Sequence, residues 1–364
     1  MKNPRIIISG GGTGGHITPM LAMADILGQN CNDAKFHFIG RAGGRENDAI
    51  RKAGFEPYEI RVTGLKRSLS FSNVKAVWDA LSARGRAKEI LREISPDIVI
   101  GTGGYVSWPV LSAAKKLGLK CAIHESNAVP GLVTRRCGGW LDLIMLGYPE
   151  AEARLPDKYT TVVTGNPVRR ALGSISRSRA RAMLKIPEGK TVVLSFGGSL
   201  GSEVMNSTVI DMIERDGGKS GLYFIHATGR SEYERYKARS FRHARILPYI
   251  DEMPTYLSAA DIGIVRCGAM TLAEIAAAGL PSILIPSPNV TANHQYENAR
   301  ALSDGGCGVL ITEAELTPEV LATRVKRLAA DKNARRRMAD AMRDRATGCD
   351  RKILSSILSI CEQA

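Results

Sequence analysis

The chain has 364 residues, 44% hydrophobic and 24% charged, which excludes disordered and fibrous classes and exceeds one ordinary core. Its net charge of +14 calls for an acidic partner: nucleic acid, anionic lipid headgroups or a phosphate-bearing small molecule. Cysteines at 31, 121, 137, 267, 307, 349 and 361 lack Cys-x-x-Cys spacing, which fits neither a disulfide framework nor a structural zinc site and points to a reducing cytoplasm.

In chain order, the first apolar run is too short for a secretory signal, and no later stretch approaches the roughly 18 apolar residues of a spanning helix. Arg5-Ile6-Ile7-Ile8-Ser9 predicts a strand that enters Gly10-Gly11-Gly12-Thr13-Gly14-Gly15-His16. Thr18-Pro19 reads as a helix cap followed by proline at the first helical position. A second strand is predicted at 36–39. Residues 62–92 then carry seven Lys or Arg against two acids, with Val74, Val77, Trp78 and Leu81 on one helical face. Such a segment can lie on anionic lipid or pack on its own domain.

Strands follow at 98–100, 121–124 and 143–146, and turn residues Thr164-Gly165-Asn166-Pro167 interrupt the pattern. It restarts at Thr191-Val192-Val193-Leu194-Ser195-Phe196, entering Gly197-Gly198-Ser199-Leu200-Gly201. Further strands are predicted at 221–227, 245–247, 261–265 and 282–285. Continuous apolar strands alternating with helices indicate parallel sheets covered on both faces. The reading is α/β, two Rossmann-like domains in series facing a deep cleft. The basic run around Arg335-Arg336-Arg337 reads as a solvated helix face.

Gly10-x-Gly12-x-x-Gly15 satisfies the dinucleotide fingerprint by letter, yet the next strand ends Phe38-Ile39-Gly40-Arg41 without the carboxylate that would hold a ribose. What remains is four glycine loops, 10–15, 101–104, 197–201 and 268–271, at strand ends before helices. Backbone amides there suit a phosphate-bearing ligand.

Several motifs go further. Gly11-Gly12-Thr13-Gly14-Gly15-His16-Ile17-Thr18-Pro19, Gly101-Thr102-Gly103-Gly104-Tyr105-Val106-Ser107, His124-Glu125-Ser126-Asn127, Gly165-Asn166-Pro167-Val168-Arg169, Ser195-Phe196-Gly197-Gly198-Ser199 and Arg266-Cys267-Gly268-Ala269-Met270-Thr271-x-x-Glu274 together resemble the MurG family. The resemblance runs from residue 5 to about 300. It implies the GT-B fold and an inverting hexosyltransferase. The reaction implied is transfer of N-acetylglucosamine from its UDP carrier to undecaprenyl-pyrophosphoryl-N-acetylmuramyl-pentapeptide, in peptidoglycan biosynthesis. It further implies an acceptor- and membrane-binding domain at 1–163, a UDP-N-acetylglucosamine-binding domain at 164–340, and a final helix, about 341–364, that packs back on the first.

By the same resemblance, Thr13, Gly14, Gly15, Asn127, Arg169, Ser199, Ile250, Arg266, Ala269, Met270, Thr271, Glu274, His294 and Gln295 are expected at the donor. Ile250 would act through its backbone and Glu274 through the ribose hydroxyls. Arg266 suits diphosphate because its planar fork donates parallel bonds. Gly14, His16, Gly103, Gly104, Tyr105 and Ser107 are expected at the acceptor. His16 suits two roles equally, general base or ligand of the acceptor pyrophosphate; Glu125 and Asn127 are the other catalytic candidates. His294, Leu200 and Trp108 depart from the common pattern.

The absence of Asp-x-Asp argues for a metal-independent reaction, and no cofactor is expected. The lipid-linked acceptor places the enzyme at the cytoplasmic face of the plasma membrane, peripherally, through residues 62–92, where contacts with other cell-wall synthesis proteins are open. A UDP-N-acetylglucosamine epimerase shares the fold and donor but needs no lipid. A basic nucleic-acid binder is disfavoured by seven phenylalanines, four glycine loops and the lack of a recognition motif.

Overall fold

Ile6, Ile7 and Ile8 are each at most 2% exposed, so β1 (Arg5–Ser9) has no solvent face and requires cover on both sides. The computed structural model describes residues 4–12, 14–31, 33–63, 71–169, 175–198 and 201–362, with the backbone alone for 71–78 and 80. Two compact units emerge, Met1–Arg169 with Gly348–Ala364, and Arg170–Thr347.

In the first unit β1 joins β2 (Lys35–Arg41), β3 (Pro57–Ile60), β4 (Ile98–Gly101), β5 (Lys120–Glu125), β6 (Leu143–Leu146) and β7 (Thr161–Val163) in one parallel sheet, ordered β3-β2-β1-β4-β5-β6-β7. Around it lie α1 (Gly14–Asn30), α2 (Arg45–Lys52), α3 (Phe71–Ile94), α4 (Ser107–Lys116) and α5 (Leu132–Cys137). Successive strand residues feed opposite layers. Ile6 and Ile8 pack with Met20, Met23 and Leu27 of α1, while Ile7 packs with Ala87 and Ile90 of α3 and Val110 and Leu111 of α4.

The reading of Thr18-Pro19 as a helix start is corrected. α1 begins at Gly14, and Pro19 lies inside it. A proline there removes one amide donor and crowds the carbonyl four residues back. Part of the disturbed turn is held from outside, since Thr102 Oγ1 donates to the His16 carbonyl at 2.8 Å.

In the second unit β8 (Thr191–Phe196), β9 (Leu222–Ala227), β10 (Ala244–Leu247), β11 (Ile262–Arg266), β12 (Ser282–Ile285) and β13 (Val309–Leu310) form a parallel sheet ordered β10-β9-β8-β11-β12-β13. Its helices are α6 (Arg177–Met183), α7 (Glu203–Asp216), α8 (Tyr233–Tyr236), α9 (Met253–Ala259), α10 (Ala269–Ala278), α11 (His294–Asp304), α12 (Pro318–Ala330) and α13 (Lys332–Ala346). Both sheets are the Rossmann-like α/β arrangement. α13 stays with this unit through Ala346, beyond position 341, and the chain breaks at Thr347-Gly348. α14 (Cys349–Glu362) then buries Ile353, Ile357 and Ile360 among Ile8, Ile98 and Leu27 of the first unit. Each such side chain contributes about 1.5–3 kcal/mol.

Behind the β8 loop, the His226 imidazole is fully buried, with Nδ1 2.7 Å from Ser195 Oγ. Burial holds it down to about 4, against a partial rise from the hydrogen bond to Ser195. In the unfolded chain the same imidazole takes a proton near pH 6.5. Stability is therefore expected to fall as pH drops from about 6.5 to 4, by up to about 3 kcal/mol. Melting temperature against pH checks this: the slope in that window should flatten in His226→Gln.

Candidate active site

Both sheets reverse winding between two central strands, β1 and β4 in the first, β8 and β11 in the second. At such a switch point the loops that follow the two strands stand side by side at the carboxyl edge, the place where open α/β sheets bind ligands. The four glycine loops occupy these two places.

In the first unit the loops after β1 and β4 meet almost backbone to backbone. Gly104 has φ +76°, and a methyl group there would lie 2.1 Å from the Gly11 carbonyl oxygen and 3.0 Å from His16 Nδ1. A methyl on Gly103 (φ +93°) would lie 2.8 Å from His16 Cδ2. The half-buried His16 ring, in the first turn of α1, is thus laid on the 103–104 backbone. Tyr105 packs its ring against Gly12, where an added methyl would come within 2.7 Å. Gly14 and Gly15 open α1 beside His16, and Thr13 lies outside the described residues.

Two acceptor-side candidates have their side chains engaged within the unit. Ser107 is fully buried and its hydroxyl donates to the Gly104 carbonyl at 2.9 Å, which fixes the turn instead of facing a ligand. The Glu125 carboxylate, also buried, accepts from the Asn127 amide (3.1 Å), Asn127 Nδ2 (3.3 Å), the Gly131 amide (2.7 Å) and Thr134 Oγ1 (2.7 Å). A carboxylate so fully engaged would have to break these bonds to act as a base. Glu125 clamps the loop after β5, and half-buried Asn127 is the side chain that loop presents. The loop is pinned again by Asn166 Nδ2 on the Ser126 carbonyl (3.0 Å) and by His124 Nε2 on the Gly165 carbonyl (3.0 Å). Arg169 is exposed at the end of the unit. Trp108, in α4, packs on the core.

In the second unit Gly268 caps α10 without a side-chain hydrogen bond, so the amides of Ala269, Met270 and Thr271 head a helix whose dipole favours an anion. Ala269 and Met270 bury their side chains. Glu274 stands in the second turn, past the reach of a capping role, and is half-buried. Gln295 is oriented by its Oε1, which accepts from the Cys267 amide (3.2 Å) and the Ser287 amide (2.9 Å). His294 directs Nδ1 at the Thr291 carbonyl (2.7 Å), after Ala292 and Asn293 at φ +52° and +50°. The left-handed backbone suits Asn293 better than Ala292, since asparagine visits that region routinely. The Ile250 side chain is buried, which leaves its backbone to any ligand. Ser199 and Leu200 lie outside the described residues.

Arg266, expected at the diphosphate, ends β11 directly before the loop that leads into α10. Its guanidinium is buried and paired with Glu313, and it also donates to Ser202 Oγ and to the Ile285 carbonyl (3.2 Å). One side chain thereby ties the loops after β8, β11, β12 and β13 together. Glu313, Ser202 and Thr102 escaped the sequence reading. Thr102 stood inside a quoted motif, but Glu313 lies 47 residues from Arg266 with no local signal. A carboxylate does reach the first glycine loop: buried Glu46 of α2 accepts from the Arg41 amide at 3.1 Å, and a methyl on Gly11 would come within 2.5 Å of it. It is sealed beneath the loop and not at a ribose position.

The glycosyltransferase family 28 N-terminal domain matches residues 6–145 and the family's C-terminal domain matches residues 192–351. The chain belongs to glycosyltransferase family 28. Among similar relatives, the UDP-N-acetylglucosamine--N-acetylmuramyl-(pentapeptide) pyrophosphoryl-undecaprenol N-acetylglucosamine transferase of Acetivibrio thermocellus is 41% identical over 339 residues, 92% of each chain. The Bacillus subtilis transferase of the same name is 38% identical, covering 92% of this chain and 93% of its own. The solved MurG of Acinetobacter baumannii superposes with a TM-score of 0.75 at 26% identity, over 98% of this chain and 99% of that one. A solved UDP-N-acetylglucosamine 2-epimerase from Listeria monocytogenes, described as putative, reaches 0.73 at 15% identity over 100% and 98%, a likeness of fold alone. In family 28 terms, the first unit's switch point carries His16 and the second unit's carries the α10 amides.

Proposed function

We infer that this family 28 enzyme transfers N-acetylglucosamine from UDP-N-acetylglucosamine to undecaprenyl-pyrophosphoryl-N-acetylmuramyl-pentapeptide, a step of peptidoglycan biosynthesis. The observation that carries the reading is 41% identity, across 92% of both chains, to a transferase named for that reaction.

The acceptor hydroxyl attacks the anomeric carbon of the donor sugar, the bond from that carbon to the β-phosphate oxygen breaks, and UDP leaves with the electron pair. We assign the hydroxyl proton to His16, whose backbone is pinned by Thr102 and whose ring rests on the 103–104 backbone. Asn127, presented by the Glu125 clamp, contacts the donor sugar. The amides of Ala269, Met270 and Thr271 receive the diphosphate, and Arg266 supports them from beneath with its charge shared with Glu313. Gln295 keeps its two amide donors for sugar hydroxyls, Glu274 accepts from the ribose, and the Ile250 backbone meets the base. No divalent metal is assigned a role.

We place the enzyme peripherally on the cytoplasmic face of the membrane through α3. Ala83, Ala87, Ile90, Leu91 and Ile94 form its buried stripe, whereas Leu81 of the same helix is 46% exposed. Residues 64–70 of the basic segment lie outside the described residues. No described helix is long and apolar enough to cross a membrane.

Calorimetric titration with UDP-N-acetylglucosamine tests the donor half. Glu274→Ala removes hydrogen bonds to a charged acceptor, about 1.5–3 kcal/mol, so affinity should fall roughly 10- to 150-fold. Unchanged affinity would take Glu274 out of the donor site.

A further inference from the structure

The basic run around Arg335 is not simply a solvated helix face. It forms one wall of a groove of about 580 Å³ in the second unit, on the edge opposite the glycine loops. Thr191, Asp261 and Pro281 line its floor, at the amino-terminal starts of β8, β11 and β12. Arg177 and Arg181 of α6 supply the facing wall, Lys190 the lip, and Lys332, Arg336 and Arg343 of α13 the rest.

These charges are not balanced locally. Asp261 sits between Arg177 (2.8 Å) and Arg181, sharing one negative charge between two guanidiniums. Asp340 faces both Arg343 (3.2 Å) and Arg336 (3.9 Å), and the Arg336 side chain is 83% exposed. Among the described residues neither Lys190 nor Lys332 has a carboxylate within ion-pair distance. Arg335 is spent otherwise, donating to the Leu328 and Ala329 carbonyls at the end of α12. Arg343 lies over the end of α10, close enough that a methyl on Gly279 would meet its Nε at 2.5 Å.

Concentrating like charge in a concave surface costs self-repulsion and raises a positive potential that gathers anions. Guanidinium forks on two walls can donate paired bonds to the several oxygens of a phosphate group, and the summed charge favours a ligand of more than one negative charge. We propose that this groove is a second anion site, which binds a ligand carrying two or more phosphate charges independently of the donor site. The same chemistry is offered by a free polyphosphate and by clustered phospholipid headgroups.

The test uses the full chain with saturating UDP to fill the donor site, and inorganic tripolyphosphate as probe at low salt. Titration should show saturable binding that weakens as salt rises. It should weaken by about tenfold or more in Lys190→Ser/Lys332→Ser/Arg336→Ser, while affinity for UDP stays unchanged and reports an intact unit. Competition separates the sources: displacement of bound tripolyphosphate by phosphatidylglycerol vesicles assigns the site to lipid headgroups, and failure to displace it assigns the site to soluble phosphates. Absence of tripolyphosphate binding, its abolition by UDP, or equal binding to wild type and variant would overturn the proposal.

Discussion

Gly104→Ala is expected to lower activity at least 100-fold and to destabilise the chain by about 2–4 kcal/mol. Two costs coincide at this position. The left-handed backbone, φ +76°, costs an alanine about 1–2 kcal/mol by itself. The new methyl also meets the Gly11 carbonyl at 2.1 Å, and that carbonyl is backbone, so the two glycine loops must part. His16 rests on the same contact and moves with it, and displacements near 1 Å at a reacting centre cost about two orders of magnitude. Gly118→Ala is the matched control. It has φ +71° with nothing within 4 Å of the added methyl, so it should lose stability without losing activity. Calorimetry and steady-state rates on the pair read both effects; equal behaviour of the two variants would refute the loop-to-loop contact as a requirement.

His16→Asn keeps a polar side chain in the first turn of α1 but cannot take a proton. Turnover should fall by about 10²- to 10⁴-fold with the acceptor KM changed only slightly. A large rise in acceptor KM at unchanged turnover would instead make His16 a pyrophosphate ligand. The split matters because both roles suit an imidazole at this place. Either role uses a ring held by the 103–104 backbone and a carbonyl held by Thr102.

Much of the fold was legible because central parallel strands are buried on both faces and read as unbroken apolar runs. β1, β6, β8 and β12 begin and end where Arg5–Ser9, Leu143–Leu146, Thr191–Phe196 and Ser282–Ile285 suggested. β3, β7 and β13 were missed, for they are two to four residues long, lie at or near sheet edges, and β3 starts with a proline that only an edge readily accepts. The start of α1 was misplaced because Thr18-Pro19 mimics a cap, while the helix begins at Gly14 and carries Pro19 inside it. At the site, glycine loops announce themselves by composition. Ser107 and Glu125 sit in recognisable motifs, yet sequence cannot tell a side chain that faces a ligand from one that locks the turn beneath it. Arg266 shows the same limit, since its meaning depends on Glu313, and no local pattern joins them.

The central claim is tested most directly by following radiolabelled N-acetylglucosamine from its UDP carrier to undecaprenyl-pyrophosphoryl-N-acetylmuramyl-pentapeptide, with EDTA present and Glu274→Ala in parallel. Label is expected in the lipid-linked product from the wild type and little from the variant. UDP-N-acetylglucosamine that binds but leaves no label on the acceptor, or that is converted to its epimer with the sugar still on UDP and no acceptor needed, would contradict that claim.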